Sequence, residues 1–167
     1  MFYREVLAQL QAYGVRYLVA GAVAMNLHGV PRMTADLDLL VELSGENLRA
    51  LLAALTVLGF HPRLPVPAEA LLDPDQRWEW VETRHLRAFT FVDPARPLFE
   101  VDVLLSSPIP FEEAEQARTV VKAGELPIPV VSLDHLIAMN RAAGRAQYLA
   151  DDASLEKLKR LLESPEP

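Results

Sequence analysis

Residues 19–41, VAGAVAMNLHGVPRMTADLDLLV, decide how the rest of the chain is interpreted. They join a short apolar run, a small-residue turn, a brief helical segment and the acidic pair Asp36 and Asp38. Successive side chains of a β-strand point to opposite faces, so a strand over 35–41 places both carboxylates on one face. Paired carboxylates repel unless a cation lies between them, which makes a divalent-metal site one interpretation. A solvated strand start is the other, because a bare D-x-D pattern is short and common.

The length and bulk composition predict one well-cored domain over residues 1–167, or one domain with an appendage, because 51% of the residues are hydrophobic and 23% are charged. The absence of cysteine excludes disulfides and thiolate metal sites and suits a cytoplasmic protein. No apolar run approaches the roughly 18 residues of a membrane span, so no membrane partner is expected. The net charge of −7 argues against general DNA binding, which depends on Lys and Arg contacts to phosphates.

Hydrophobic spacing along the chain predicts a mixture of helices and strands. The predicted helices span 2–13, 22–27, 44–59, 108–118, 133–143 and 147–163. The predicted strands span 16–20, 35–41, 77–82, 86–92 and 98–105, followed by a hairpin over 119–130. The proline-rich segment 60–75 is expected to be irregular, with one short helical turn.

A third candidate metal ligand lies on the predicted strand over 98–105, LFEVDVLL. Its odd positions are all apolar and define the buried face, whereas Glu100 and Asp102 share the other face. A carboxylate that is buried without a partner is costly. Asp102 is therefore expected to face solvent at a strand end, or a metal.

The predicted helix over 133–143 carries a polar residue, Asn140, in the middle of its inward apolar stripe. A polar side chain at a core-facing position needs a partner or a site. Arg141 and Arg145 flank it. His28 is expected to lie near a carbonyl at a helix end rather than to act as a ligand. The sequence contains no P-loop, no zinc-ligand spacing and no nucleophile elbow.

Three segments together resemble the nucleotidyltransferase superfamily with the DNA polymerase β-like fold, and within it the small prokaryotic AbiEii-like branch. Residues 17–41, YLVAGAVAMNLHGVPRMTADLDLLV, resemble that branch's strand, glycine turn, helix and T-x-D-x-D segment. FEVDVLL resembles its third-carboxylate strand, and VVSLDHLIAMNRAAGR resembles its C-terminal helix. The resemblance implies an α+β (α/β) fold, a mixed β-sheet flanked by helices, with helices in 132–163 packed on the sheet domain.

The resemblance also implies a two-metal phosphoryl-transfer site, in which Asp36, Asp38 and Asp102 hold Mg²⁺, or Mn²⁺ as the alternative metal. Asp102 is then the ligand nearer the acceptor and a candidate general base. The substrate is a nucleoside triphosphate, and the acceptor hydroxyl, on a tRNA, a protein or a small molecule, is unidentified. The nucleotide-binding residues implied are Gly21, Ala22, Arg32, Thr34, Asn140, Arg141 and Arg145.

The chain departs from the family pattern at three places. The family's Gly-Gly or Gly-Ser turn is Gly21-Ala22, the lysine of its Met-Lys-Arg segment is Asn140, and the acidic end of its R-P-x-D segment is Tyr148. The intact carboxylates favour an active enzyme. Asn140 and Tyr148 favour a weakly catalytic nucleotide- or partner-binding module, of a toxin–antitoxin kind. A metal-dependent phosphohydrolase using the same acids is the third interpretation.

Overall fold

The computed structural model describes residues 2–144 and 146–164, which form a series of helices and strands. The helices are α1 (Phe2–Ala12), α2 (Gly21–Leu27), α3 (Gly45–Val57), α4 (Pro74–Glu82), α5 (Phe111–Gln116), α6 (Leu133–Ala143) and α7 (Ala146–Glu163), with a short 3-10 helix at Ala68–Leu72. The strands are β1 (Tyr17–Val19), β2 (Asp36–Val41), β3 (His61–Pro62), β4 (Ala88–Val92), β5 (Glu100–Leu104), β6 (Thr119–Ala123) and β7 (Leu126–Val130).

The strands of the described residues form one sheet, ordered β3-β4-β5-β2-β1-β7-β6. At its centre β2 pairs antiparallel with β1 and parallel with β5, and β1 also pairs parallel with β7. The parallel β2–β5 pair needs a crossover, which residues 42–99 supply. A mixed sheet accompanied by helices confirms the predicted α+β class.

The sheet is apolar on one face because its strands alternate. Leu37 and Leu39 of β2 and Val101 and Val103 of β5 are fully buried, whereas the acidic residues between them are only partly buried. Helices α1 and α3 contact each other, and α3 and α4 both contact the 3-10 helix. A second group joins α2 to β2 and α6, and α6 to α7. The division of the chain into domains stays a prediction.

The strand predicted over 77–82 is wrong, because these residues belong to helix α4. Asp73 caps that helix, accepting hydrogen bonds from the N–H groups of Asp75 and Gln76, and Pro74 occupies its first turn. The alternation of RWEWVE imitates a strand. In the helix Trp80 turns inward against Phe89 of β4, with ring centroids 5.1 Å apart.

The predicted start of one helix and the predicted end of another are confirmed. Helix α3 begins after Ser44, whose Oγ accepts the N–H of Asn47. His28 ends α2, and its Nε2 lies 2.8 Å from the carbonyl oxygen of Val131. No helix within residues 2–144 and 146–164 has the length and apolarity to cross a bilayer.

Candidate active site

The pairing of β2 with β5 brings acidic residues from the two strands side by side. Asp38 pairs with Asp102 and Asp36 pairs with Glu100, and neighbouring strands are about 4.8 Å apart. All four carboxylates lie on the face of the sheet opposite the buried leucines and valines. Glu100 is neutralised by an ion pair with Arg63. We call the three aspartates of this face, Asp36, Asp38 and Asp102, the acidic centre of the site.

Two cavities meet at this centre. The smaller one, which we call the acidic cavity, has a volume of about 380 Å³ and is lined by all three aspartates together with Ala22, Arg32, Thr34 and Arg87. The larger one, the large cavity, has a volume of about 610 Å³ and is lined by Gly21, His85, Ser106, Ser107 and Asn140 among others. Asp38 and Arg87 line both. The two cavities thus adjoin around Asp38 and offer room for two substrates.

The glycine turn after β1 is built around Asp38. Gly21 has a φ of +60°, a left-handed conformation that favours glycine. A Cβ added to Gly21 would overlap the Oδ2 atom of Asp38. The backbone N–H of Ala20 donates to the carbonyl oxygen of Asp38 at 2.9 Å. Only glycine at position 21 allows the turn and the carboxylate to lie this close.

Two hydroxyl groups complete the surroundings of the acidic centre. Thr90 Oγ1, on β4, donates to Asp102 Oδ1 at 2.5 Å and so orients that carboxylate. The hydroxyl of Tyr3, on α1, donates to the carbonyl oxygen of Thr34 at 2.8 Å. Burial raises the pKa of Tyr3, and the negative charges of Asp36 and Asp38 raise it further. The field at the site is therefore negative.

The donor set fits a hard divalent cation. Three carboxylates supply oxygen ligands, which Mg²⁺ and Mn²⁺ prefer, and they face one cavity. Within the part of the chain that the structure describes, no three His, Asp or Glu side chains already converge closely enough to hold an ion.

Arg32 and Thr34, both predicted to bind nucleotide, line the acidic cavity. Thr34 Oγ1 accepts the N–H of Asp36 at 3.1 Å, so this hydroxyl also fixes the start of β2. The guanidinium of Arg32 lies 3.4 Å from the carboxylate of Asp151 on α7, and Asn26 holds its backbone. Arg32 thus lines the site, and its guanidinium already forms an ion pair with Asp151.

Arg141 contacts helix α7 and is not among the described residues that line the two cavities. Its Nε lies 3.3 Å from Asp152 and its Nη2 lies 3.0 Å from Glu156, both on α7, and it lines neither cavity. The predicted contact between Arg141 and phosphate is therefore not supported by its position. Arg145 lies outside the described residues, and so does the side chain of Tyr148.

Asn140 does face the site. The residue is only 5% exposed, it lines the large cavity, and its Nδ2 has no hydrogen-bond partner among the described residues. The expectation that this inward polar residue needs a partner or a site therefore points to a ligand. An unsatisfied buried donor costs free energy that a bound acceptor would recover.

Sequence reasoning missed four residues of the site: Tyr3, His85, Arg87 and Thr90. For Thr90 a signal existed, since it alternates with the buried Phe89 and Phe91 and so shares a face with Asp102. Arg87 precedes β4, where the period of two does not yet apply, and Tyr3 carries no local signal. His85 could be recognised only from its positive backbone φ, which cannot be read from the sequence.

Comparison with known proteins agrees with this geometry. Residues 5–139 match the family model described as "Nucleotidyl transferase AbiEii toxin, Type IV TA system". No curated protein is significantly similar to the chain. The matched range includes both acidic strands and the glycine turn.

Two solved structures share the fold. A candidate nucleotidyltransferase from Thermotoga maritima has a TM-score of 0.54 at 14% identity, covering 96% of this chain and 90% of that one. ANT(2″)-Ia, in complex with adenylyl-2″-tobramycin, has a TM-score of 0.59 at 16% identity, covering 96% and 92%. At these identities they show the fold alone. The family match covers most of the chain, and the protein therefore belongs to the AbiEii nucleotidyltransferase toxin family.

Proposed function

We propose that the protein is a Mg²⁺-dependent nucleotidyltransferase that moves a nucleoside monophosphate from a nucleoside triphosphate to an acceptor hydroxyl. The observation that carries the proposal is the pairing of Asp38 with Asp102, with Asp36 on the same face, at the junction of two cavities. Membership of a nucleotidyltransferase family supports the same reaction class.

In this proposal Asp36, Asp38 and Asp102 hold the metal ions. Mg²⁺ held by these carboxylates would supply positive charge that polarises the α-phosphate and offsets the charge of the leaving pyrophosphate. Asp102, oriented by Thr90, accepts the proton of the acceptor hydroxyl. The acceptor oxygen forms its bond to the α-phosphorus as the bond from that phosphorus to pyrophosphate breaks.

The nucleotide occupies the large cavity, whose volume of about 610 Å³ lies within the range of small-molecule sites. The backbone amides of Gly21 and Ala22 and the amide of Asn140 supply neutral donors for phosphate oxygens. Arg87 supplies a positive charge at the junction of the cavities. Asn140, which lines the large cavity, stands at the position of the family's lysine. The acceptor then approaches through the acidic cavity, beside Asp102.

Two arginines complete the proposed set. Arg32 exchanges its partner Asp151 for a phosphate group, with Thr34 holding the strand start beside it. Arg145 keeps its proposed phosphate contact on the family resemblance. Arg141 is left out because its guanidinium pairs with Asp152 and Glu156.

The test is label transfer from α-labelled nucleoside triphosphates in the presence of Mg²⁺, over acceptors that include tRNA, the protein itself and small hydroxyl compounds. We expect the Asp36→Ala/Asp38→Ala variant to lose transfer by at least about a hundredfold. Glu100→Gln is the matched control, because Glu100 shares the face but is already paired with Arg63. Transfer that survives the double substitution would contradict the assignment.

A second candidate is a nucleotide-binding module with little catalysis. It is favoured by the neutral amide of Asn140 at the inward position and by the ion pairs that commit Arg141 to α7. Titration calorimetry with Mg²⁺ and nucleoside triphosphates separates the two candidates. Binding that is lost in Asp36→Ala/Asp38→Ala, without transfer to any acceptor of the panel, supports the module.

A further inference from the structure

His85 adopts a backbone conformation that glycine would fill at lower cost. Its φ is 54°, and it is the one non-glycine residue with a positive φ among residues 2–144 and 146–164. Each other positive φ in those ranges belongs to a glycine: Gly14, Gly21, Gly29, Gly59, Gly124 and Gly144. A Cβ makes the left-handed conformation unfavourable, so a side chain retained there calls for a reason.

The backbone at this position has an ordinary task. The chain leaves α4 here, with the N–H of Thr83 bonded to Glu79 O and the N–H of Leu86 bonded to Trp80 O, both at 2.9 Å. A left-handed residue commonly ends a helix in this way, and it is usually glycine because glycine has no Cβ. The turn itself therefore does not explain a histidine.

The side chain has a second task available. His85 is exposed and lines the large cavity, and Arg87, two residues later, lines it as well. Arg84, between Thr83 and His85, pairs instead with Glu79 at 3.2 Å and does not line the cavity. Of the three nitrogen-bearing residues in this turn, His85 and Arg87 therefore line the cavity, whereas Arg84 pairs with helix α4.

The rest of the cavity indicates what these nitrogens bind. Among the described residues that line it, Asp38 carries the one carboxylate, and Ser106, Ser107 and Asn140 carry O–H or N–H groups that are able to donate hydrogen bonds. Asn140 Nδ2 is buried, and no described residue forms a hydrogen bond with it. In a chain of net charge −7, this wall of donors fits an anion. Imidazole donates an N–H in either protonation state, so the contact does not depend on a charge on His85.

We propose that His85 binds the phosphate groups of the nucleotide, together with Arg87, and that its left-handed backbone is retained to place the imidazole in the large cavity. This assignment rests on the proposed function, since it names the part of the substrate that the cavity wall receives. His85 is thus a binding residue that lowers the stability of the turn.

The decisive variant is His85→Gly, because it removes the imidazole and relieves the backbone at once. We expect its Tm to rise by about 1–4 °C. We also expect its dissociation constants for inorganic tripolyphosphate and for a nucleoside triphosphate, both with Mg²⁺, to increase about tenfold or more. His85→Asn tolerates the left-handed backbone and should fall between wild type and His85→Gly in affinity. Arg84→Gln, which removes a charge from the same turn outside the cavity, should leave both affinities unchanged.

The outcomes separate this assignment from the proposed function. If wild type binds both probes and His85→Gly binds them equally well, His85 is not a phosphate ligand and the assignment is overturned alone. Weaker nucleotide binding with unchanged tripolyphosphate binding also overturns it, because the imidazole then contacts the nucleoside. A lower Tm for His85→Gly would mean that the histidine side chain stabilises the turn, which would contradict the claim that the residue is retained for binding at the expense of stability. Wild type that binds neither probe overturns both proposals.

Discussion

The α-carbon of Gly21 lies directly against the carboxylate of Asp38, so that a methyl group added to Gly21 would stand 2.7 Å from Asp38 Cγ and overlap Oδ2. The glycine of the turn is therefore required by a side chain on the neighbouring strand as well as by its own φ of +60°. This contact ties the turn between β1 and α2 to the acidic centre.

Gly21→Ala should abolish transfer, and Gly14→Ala should not. Gly14 has a φ of +66° and open space where a Cβ would be, so both variants bear a similar left-handed cost of about 1 kcal/mol. Only Gly21→Ala displaces Asp38. We expect at least about a hundredfold loss of kcat/KM for Gly21→Ala alone. Equal activity losses in the two variants, measured beside urea unfolding, would show that backbone strain rather than displacement is responsible.

Thr90→Val should weaken the site without removing a charge. It deletes the hydroxyl that donates to Asp102 Oδ1 and leaves a side chain of similar shape in β4. Loss of a group that orients a metal ligand typically costs about 10–100-fold in metal affinity or activity. Titration with Mn²⁺ and label-transfer kinetics measure both. Thr119→Val, on the exposed strand β6, is the control, and an equal effect there would refute the role of Thr90.

Mg²⁺ should lower the pKa of Tyr3. Burial raises that pKa, and the charges of Asp36 and Asp38 add to the rise, so a cation bound to these carboxylates offsets part of it. Ultraviolet titration of wild type minus Tyr3→Phe, with and without Mg²⁺, isolates the signal of this residue. In Asp36→Ala/Asp38→Ala we expect a lower pKa and no response to Mg²⁺. A wild-type pKa that ignores the metal would argue against binding at Asp36 and Asp38.

Tyr17→Phe should stabilise the protein. The hydroxyl of Tyr17 is buried and has no hydrogen-bond partner in residues 2–144 and 146–164, and replacing it with hydrogen should raise the free energy of unfolding by about 1 kcal/mol. Urea unfolding at neutral pH checks the sign. A loss of stability would mean that the hydroxyl has a partner, such as a buried water.

The same residue should govern stability at alkaline pH. Burial raises the pKa of Tyr17 to about 12, whereas tyrosine in the unfolded chain titrates near 10. The folded state keeps its proton longer, so this contribution is fully present below about pH 10 and is lost as pH rises to about 12. The two-unit difference bounds it at about 2–3 kcal/mol. In Tyr17→Phe the free energy of unfolding should therefore fall less steeply between about pH 10 and pH 12.

Arg87 and Arg141 should separate binding from stability. Arg141→Gln leaves the poorly exposed Asp152 without its cation, so we expect the free energy of unfolding to fall by about 1–2 kcal/mol with KM for nucleotide unchanged. Arg87→Gln should raise KM and leave stability nearly unchanged, because Arg87 is exposed. Thermal unfolding and steady-state kinetics of both variants check this contrast. A raised KM in Arg141→Gln would indicate that Arg141 does contact the nucleotide.

The acidic face could be predicted from the sequence because the period of two in a strand is a local property. The alternation in DLDLLV and FEVDVLL places Asp36, Asp38 and Asp102 away from the core, and the structure confirms it. The same logic failed in RWEWVE, where the cap at Asp73 and the packing of Trp80 override an alternating pattern.

The arginines that line the site could not be predicted from strand alternation. Whether an arginine serves a site or a neighbouring helix depends on which acidic side chains the fold brings beside it. Arg141 meets Asp152 and Glu156 only because α7 packs on α6, and Arg87 reaches the cavities only because β4 lies beside β5. The left-handed backbone of His85 likewise has no counterpart in the residue pattern.

The pairing of β2 with β5 also determines when the acidic centre forms during folding. The two strands are joined by residues 42–99, so their contact is of high sequence separation and forms slowly compared with local helices. Asp38 and Asp102 are neighbours only after that closure. A chain in which this closure has not formed therefore lacks the acidic centre. On the proposed function, an ion or nucleotide bound across the two strands would stabilise their pairing by mass action.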